Sequence, residues 1–215
     1  MNSLIFLGGE KPSPELSRLA ARRSGRIIAA DKGYHAAVDT GVQPDVVTGD
    51  FDSIGTVPES PGLQVMPAPE QDATDFEKAL RQLPADTQSI EILGGTGLRS
   101  DHFLTNLLIA AGLPPHLKVV FHDDTQSIFR ITSASPFSIS LPRDTVVSLI
   151  PFSTCSRVKT TGLHWDLKDA TMGPGEQLGQ SNRVETEKVR IQIGDGRLYA
   201  VINHPHGLEG IDPTD

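Results

Sequence analysis

Short apolar runs separated by stretches of helical period fill the first 122 residues. Residues 4–7, 26–30, 45–48, 63–66, 90–93 and 117–121 are brief apolar runs and read as strands. Between the first two, Ser13 precedes Pro14, and Leu16, Leu19 and Ala20 then share one face, so a capped helix is predicted that closes near Gly25. A short helix from Tyr34 ends at Gly41. A third starts at Thr74 with Phe76, Ala79, Leu80 and Leu83 on one face. A fourth starts near Asp101, with Leu104, Leu107, Leu108 and Ala111 on one face and Gly112 as its stop. Strands alternating with helices predict an α/β unit built on a largely parallel sheet.

After Asp123 the helical period disappears. Residues 126–131, 137–141, 145–150, 158–162, 188–193 and 198–203 read as short strands punctuated by Pro, Gly, Ser and Thr. The last two flank Gly194-Asp195-Gly196-Arg197, and an Asp-Gly step between alternating apolar runs predicts a hairpin. Residues 207–215 read as a frayed acidic tail. The expected fold is therefore a Rossmann-like three-layer α/β domain over residues 1–122, followed by a β-sandwich of jelly-roll type over 123–215.

With 215 residues, 37% hydrophobic and 21% charged, both halves have enough apolar mass for real cores. Lys and Arg number 19 against 27 Asp and Glu, a formal net charge of −8, and such a field repels nucleic acid. The densest basic cluster, Arg18, Arg22, Arg23 and Arg26, reads as a solvated helix face. A single cysteine, Cys155, excludes an internal disulfide framework and a cysteine zinc site, as suits a reducing cytoplasm. No leader pattern and no run of roughly 18 apolar residues is seen, so a soluble protein with no membrane partner is expected.

The candidate chemistry falls at the carboxyl ends of predicted strands, the edge where open α/β sheets bind ligands. Asp31-Lys32-Gly33 follows the second strand, Gly49-Asp50-Phe51-Asp52-Ser53 the third, Gln71-Asp72-Ala73-Thr74-Asp75 the fourth and Gly94-Gly95-Thr96-Gly97 the fifth. If the third segment stays extended, Asp50 and Asp52 leave the same face and can approach one divalent ion, for which hard oxygen ligands suit magnesium. The same residues would also serve as plain loop caps. Four carboxylates on one edge (Asp31, Asp50, Asp52 and Asp75) repel one another and point to a bound cation.

Thr74 and Glu77 form a capping-box pattern, and the helix dipole alone would favour Asp75 in the first turn. The glycine-rich loop lacks both the Walker ending and the dinucleotide spacing. Arg99-Ser100-Asp101-His102 directly after it places a phosphate-capable guanidinium at the same helix mouth. Asp101 as an ordinary N-cap and His102 as a solvated side chain are the plainer readings.

Taken in order, Ala30-Asp31-Lys32-Gly33, Gly49-Asp50-Phe51-Asp52-Ser53-Ile54, Asp72-Ala73-Thr74-Asp75-Phe76-Glu77-Lys78-Ala79-Leu80 and Gly94-Gly95-Thr96-Gly97 with Arg99-Ser100-Asp101-His102 resemble the thiamine pyrophosphokinase family. Gly162-Leu163-His164-Trp165-Asp166-Leu167, Ser181-Asn182 and Gly194-Asp195-Gly196 extend the resemblance into the β half. It implies pyrophosphoryl transfer from ATP to thiamine with magnesium, in a cytoplasmic homodimer whose active sites lie between subunits.

By the same resemblance, Asp50, Asp52 and Asp75 hold the metal, and with Arg99 and Asp101 form the catalytic set. Asp31, Gly33, Thr74, Lys78, Gly95, Thr96, Gly97 and Arg99 bind ATP. Gln71, Asp101, Trp165, Ser181 and Asn182 bind thiamine. An indole face is a good partner for the permanent thiazolium cation, while a lone Trp in a β domain is otherwise core. The family commonly has Asp-Gly-Gly where this chain has Asp31-Lys32-Gly33, so Lys32 either tolerates the turn or adds a phosphate contact. His164 is given no role. A pyrophosphokinase for another hydroxymethyl heterocycle such as a pterin, and a non-catalytic nucleotide or thiamine sensor, are the alternative functions.

Overall fold

The computed structural model describes residues 1–52, 55 and 60–204. Ser53 and Ile54 of the third-strand motif, and the expected tail at 207–215, lie outside the described residues. The chain divides into two compact units, Met1–Ile109 with Phe121–Asp123, and Ala110–Val120 with Asp124–Asp215.

In the first unit β1 (Asn2–Phe6), β2 (Arg26–Ala30), β3 (Val46–Gly49), β4 (Gln64–Pro67) and β5 (Ser89–Leu93) form a parallel sheet in the order β5-β1-β2-β3-β4. The end of β6 (Lys118–His122) flanks β5. Ile5 stands opposite both Ile28 and Ile92, and all three are fully buried. The edge strand β4 is exposed throughout, whereas strands covered on both faces need unbroken apolar runs, which is why β1, β2 and β3 do not alternate. Each such side chain stabilises the fold by about 1.5–3 kcal/mol.

Helix α1 (Pro14–Arg23) starts as its sequence demands: the Ser13 hydroxyl accepts the Leu16 N–H at 3.2 Å, and Arg22 and Arg23 face the negative end of the dipole. Helices α2 (Gly33–Asp39), α3 (Asp75–Leu80) and α4 (Ser100–Gly112) follow. Two expectations about helices fail. Helix α3 stops at Leu80, leaving Leu83 beyond it. On α4 Leu104 and Leu108 are 53% and 62% exposed, whereas Leu107 and Ala110 are buried. That helix is apolar nearly all round, so periodicity does not choose its face. Asn106 is tied down as well, its side chain donating to the Gly95 carbonyl at 3.1 Å.

The second unit has two antiparallel sheets. One orders β12 (Gly179–Arg183), β9 (Val146–Pro151), β14 (Leu198–Asn203) and β7 (Gln126–Ile131). The other orders β11 (Ala170–Met172), β10 (Cys155–Thr161), β13 (Lys188–Gln192) and β8 (Phe137–Ser140). Strand β13 alternates exposed and buried positions, with Val189 and Ile191 inward. Phe129 and Phe137, one from each sheet, meet at 4.8 Å between ring centres, so this unit is a β-sandwich. The buried Arg130 guanidinium donates to the carbonyls of Ala110, Leu113, Pro114 and Leu117, fastening the end of α4 and the loop after it.

The expected hairpin is not formed. Strand β13 pairs with β10 and β8, while β14 pairs with β7 and β9 in the other sheet. The Asp-Gly segment bridges to β10 instead: Ser156 N–H donates to the Asp195 carbonyl at 3.1 Å and Gly194 N–H to that of Ser156 at 2.8 Å. Gly196, at φ +106°, passes so close that a Cβ would stand 2.5 Å from the Thr154 carbonyl oxygen. A turn signal records local backbone preference, and here the chain spends it on changing sheets. Among the described residues no helix is long and apolar enough to cross a membrane.

Candidate active site

The connections that follow β1 to β5 meet at the carboxyl edge of the first unit's sheet. A crevice of about 870 Å³ opens there, lined by Gly8 and Gly9 after β1, Asp31 and Lys32 after β2, Asp50 and Asp52 after β3, and residues 94–97 after β5. Gly33 does not line it but allows it to form: a Cβ at that position would lie 2.1 Å from the Phe6 carbonyl oxygen.

The carboxylates of Asp31, Asp50 and Asp52 each place an oxygen within 4.8 Å of the others. Asp75, expected among the metal ligands, is not part of this group; it faces the same crevice from the first turn of α3. Asp50 and Asp52 converge differently from the expectation. Phe51 has φ +63° and the Asp52 N–H donates to Asp50 Oδ1 at 3.2 Å, so a turn, not an extended segment, brings them together. Gln71 donates from Nε2 to Asp50 Oδ2 at 3.0 Å. That bond, with the Asp52 N–H, holds the Asp50 carboxyl below its ordinary range.

Its neighbours pay for this charge. Asp52 is pushed up, first by the Asp50 charge, then by burial and by Asp31. Asp75 is pushed up mainly by burial, then by the charges of Asp31 and Asp50. The buried Lys78, one turn along α3, lowers both Asp50 and Asp75.

Thr74 caps α3. Its hydroxyl accepts the Glu77 N–H at 3.2 Å, and its own N–H donates to Glu77 Oε2 at 2.8 Å, completing the box. In the glycine-rich loop, Gly95, Thr96 and Gly97 all line the crevice. Thr96 is buried, its hydroxyl donating to Asp123 Oδ2 at 3.2 Å. Asp101 does not cap α4, which already begins at Ser100. Its carboxylate takes a forked pair from Arg99, Nε to Oδ1 at 3.1 Å and Nη2 to Oδ2 at 2.5 Å. Both side chains are solvent-exposed at the crevice mouth.

Trp165, Ser181 and Asn182 lie in the second unit. Trp165 is 56% exposed, which sets aside the core reading. The buried Asn182 holds it from both sides of its backbone: Oδ1 accepts the Trp165 N–H at 3.1 Å and Nδ2 donates to the Trp165 carbonyl at 2.9 Å. Ser181 has φ +59°, and its N–H donates to the Ser148 hydroxyl at 2.9 Å. The Arg183 guanidinium stands 5.6 Å from the Trp165 ring centre, and the His164 ring meets it edge-on at 4.6 Å. His164 and then Arg143 hold Glu185 below its ordinary range.

Sequence reasoning missed Gly8 and Gly9, Asn106 and Arg183. The first two were open to the same strand-end rule, applied to β1. Asn106 carries no motif signal beyond lying one helical turn after His102.

A parallel sheet with carboxylates, a buried lysine and an arginine around one strand-end crevice suits a phosphate-bearing ligand with a divalent cation, and the same chain carries a β-sandwich presenting an exposed tryptophan. Residues 18–121 match the thiamin pyrophosphokinase catalytic domain and residues 137–198 the thiamin pyrophosphokinase vitamin B1 binding domain. The thiamine pyrophosphokinase of Bacillus subtilis is 32% identical over 81% of this chain and 85% of its own. Thiamine pyrophosphokinase 1 of Oryza sativa is 32% identical over 74% of this chain and 66% of its own. A crystal structure of the Bacillus subtilis enzyme superposes with a TM-score of 0.80 at 27% identity, covering 94% of this chain and 99% of that one. The thiamin pyrophosphokinase of Candida albicans, 18% identical, shares the fold at a TM-score of 0.77 over 94% of this chain and 90% of its own. The chain belongs to the thiamine pyrophosphokinase family.

Proposed function

We propose that this protein transfers a pyrophosphoryl group from ATP to thiamine, giving thiamine diphosphate and AMP. The observation that carries the reading is that family membership spans both units while the charged groups the transfer needs gather in one crevice. The thiamine hydroxyethyl oxygen bonds to the β-phosphorus, the bond from that phosphorus to the oxygen bridging to the α-phosphorus breaks, AMP leaves with the electron pair, and the hydroxyl proton is released. Such a displacement asks the protein for positioning and charge neutralisation more than for covalent help.

The Asp31, Asp50 and Asp52 carboxylates fit magnesium: three hard oxygen donors within 4.8 Å whose mutual repulsion a divalent cation relieves. Bound there, magnesium supplies charge neutralisation for the phosphates. Asp75 faces the same charge from α3. Gln71 orients Asp50 through its amide, and Lys78 balances the carboxylates from beneath. Arg99, steadied by Asp101, takes a phosphate oxygen, and the amides of Gly95, Thr96 and Gly97 cradle the nucleotide phosphates. Gly33 and Thr74 serve ATP by shaping the loop and the helix start.

Trp165, with Ser181 and Asn182, receives thiamine, its indole face meeting the thiazolium cation. On this reading residues 1–122 are the catalytic, ATP-binding domain and 123–215 the thiamine-binding domain. The working form is a cytoplasmic homodimer with active sites between subunits, taking neither nucleic acid nor membrane as partner. The exposed Leu104 and Leu108 of α4 support a subunit contact. The test is AMP release from ATP and magnesium by purified protein. Release should depend on thiamine, and a hydroxymethyl pterin should not replace it; AMP formed equally without thiamine would refute the assignment.

A further inference from the structure

The loop Asp31-Lys32-Gly33 constrains its three residues unequally. Gly33 is imposed by the Phe6 carbonyl, and Asp31 holds φ +45°. Lys32 has φ −54° and ψ −21°, ordinary helical values that any residue adopts, so the backbone does not explain a lysine there. Its side chain is exposed yet directed. Its stem passes over Gly8, where a Cβ would come within 2.9 Å of the Lys32 Cβ, and it lines the crevice beside Asp31 and Asp52.

We infer that Lys32 is a positioning residue for the nucleotide phosphates: lining the crevice beside the carboxylates while it is empty, its ammonium turns to a phosphate oxygen when the metal–nucleotide complex enters. Its positive charge already acts on Asp52, where it opposes the repulsion from Asp50 and Asp31. An ammonium on a flexible four-carbon stem suits such an exchange, since it is a point charge with three donors and no fixed fork. The two roles have opposite signs. Before the nucleotide arrives Lys32 competes with magnesium for the carboxylates; afterwards it adds a charge-assisted bond that magnesium does not supply. The inference rests on the proposed function, because it takes the crevice to be the ATP site.

Lys32→Ala separates the roles without disturbing the helical backbone. Magnesium titrated alone into the variant, followed by calorimetry, should bind several-fold more tightly than to the parent. The magnesium complex of a non-hydrolysable ATP analogue should bind roughly tenfold more weakly, the factor expected for one lost charge-assisted hydrogen bond. In turnover the KM for ATP should rise while kcat changes little, and Lys32→Arg should restore nucleotide affinity. Unchanged binding of both magnesium and nucleotide in Lys32→Ala, or a fall in kcat at constant KM, overturns the inference while leaving the function standing. Failure of the parent itself to bind the magnesium–nucleotide complex overturns both.

Discussion

Asn182 makes three hydrogen bonds with one buried side chain: Oδ1 accepts from the backbone of Trp165 at 3.1 Å and of Arg183 at 2.8 Å, while Nδ2 donates to the Trp165 carbonyl at 2.9 Å. Asn182→Ala removes all three and leaves backbone groups half-buried without them. At about 1 kcal/mol net for each, the loss is about 2–3 kcal/mol, and for a chain of this size Tm should fall by about 5–10 °C. Trp165 is the sole tryptophan, so the same variant can be followed by its emission. Released from Asn182, the indole loses its fixed placement beside Arg183 and His164. Thiamine should then quench it only at concentrations about tenfold higher, as expected when a preorganised platform must be ordered on binding. Thermal unfolding by circular dichroism and a fluorescence titration with thiamine measure the two effects. A Tm within about 2 °C of the parent, with the quenching curve unmoved, would refute the view that Asn182 builds this platform.

Further predictions concern the carboxylates. Asp52→Asn should lower kcat by about a hundredfold or more, as loss of an electrostatic group acting at the transition state does, and weaken magnesium binding to the nucleotide-free protein; undiminished turnover would take the pair out of the mechanism. Asp75 is pushed above its ordinary pKa chiefly by burial, so its proton is held more tightly folded than unfolded. It therefore adds stability at pH below the ordinary Asp range, and that contribution is lost as pH rises through the raised folded value. In metal-free buffer Asp75→Asn should match the parent in urea at low pH and become the more stable of the two above that window. A variant less stable than the parent at neutral pH contradicts this.

The hydrophobic pattern carried the strands of the first unit and most of those in the second, because the central strands of a sheet buried on both faces demand unbroken apolar runs and a sandwich demands alternation; the exposed edge strand β4 was found from its short Val-Met run alone. It was silent on β11 and β12, whose sequences Ala-Thr-Met and Gly-Gln-Ser-Asn-Arg are polar enough to pass for loop. It misread the Asp-Gly step, since a local turn preference says nothing of which sheet each flanking strand joins. On α4, apolar on nearly every side, no periodicity distinguished the buried Leu107 and Ala110 from the exposed Leu104 and Leu108.

The strand-end rule located the crevice because loops at that edge converge whatever their detailed shape. It did not foresee that a positive φ at Phe51 turns Asp50 and Asp52 together, or that Asp31 joins them more closely than Asp75 does. Those outcomes depend on backbone angles that no residue spacing reports. The exposure of Trp165 was equally hidden, since one aromatic residue fits a core or a platform until its neighbours are placed.

The most direct test of the central claim is product analysis with ATP labelled in both the β- and γ-phosphates, incubated with magnesium, thiamine and purified protein. The account predicts thiamine diphosphate carrying both labels together with an equal amount of unlabelled AMP. ADP with thiamine monophosphate, or label released as free phosphate with thiamine unchanged, would contradict it.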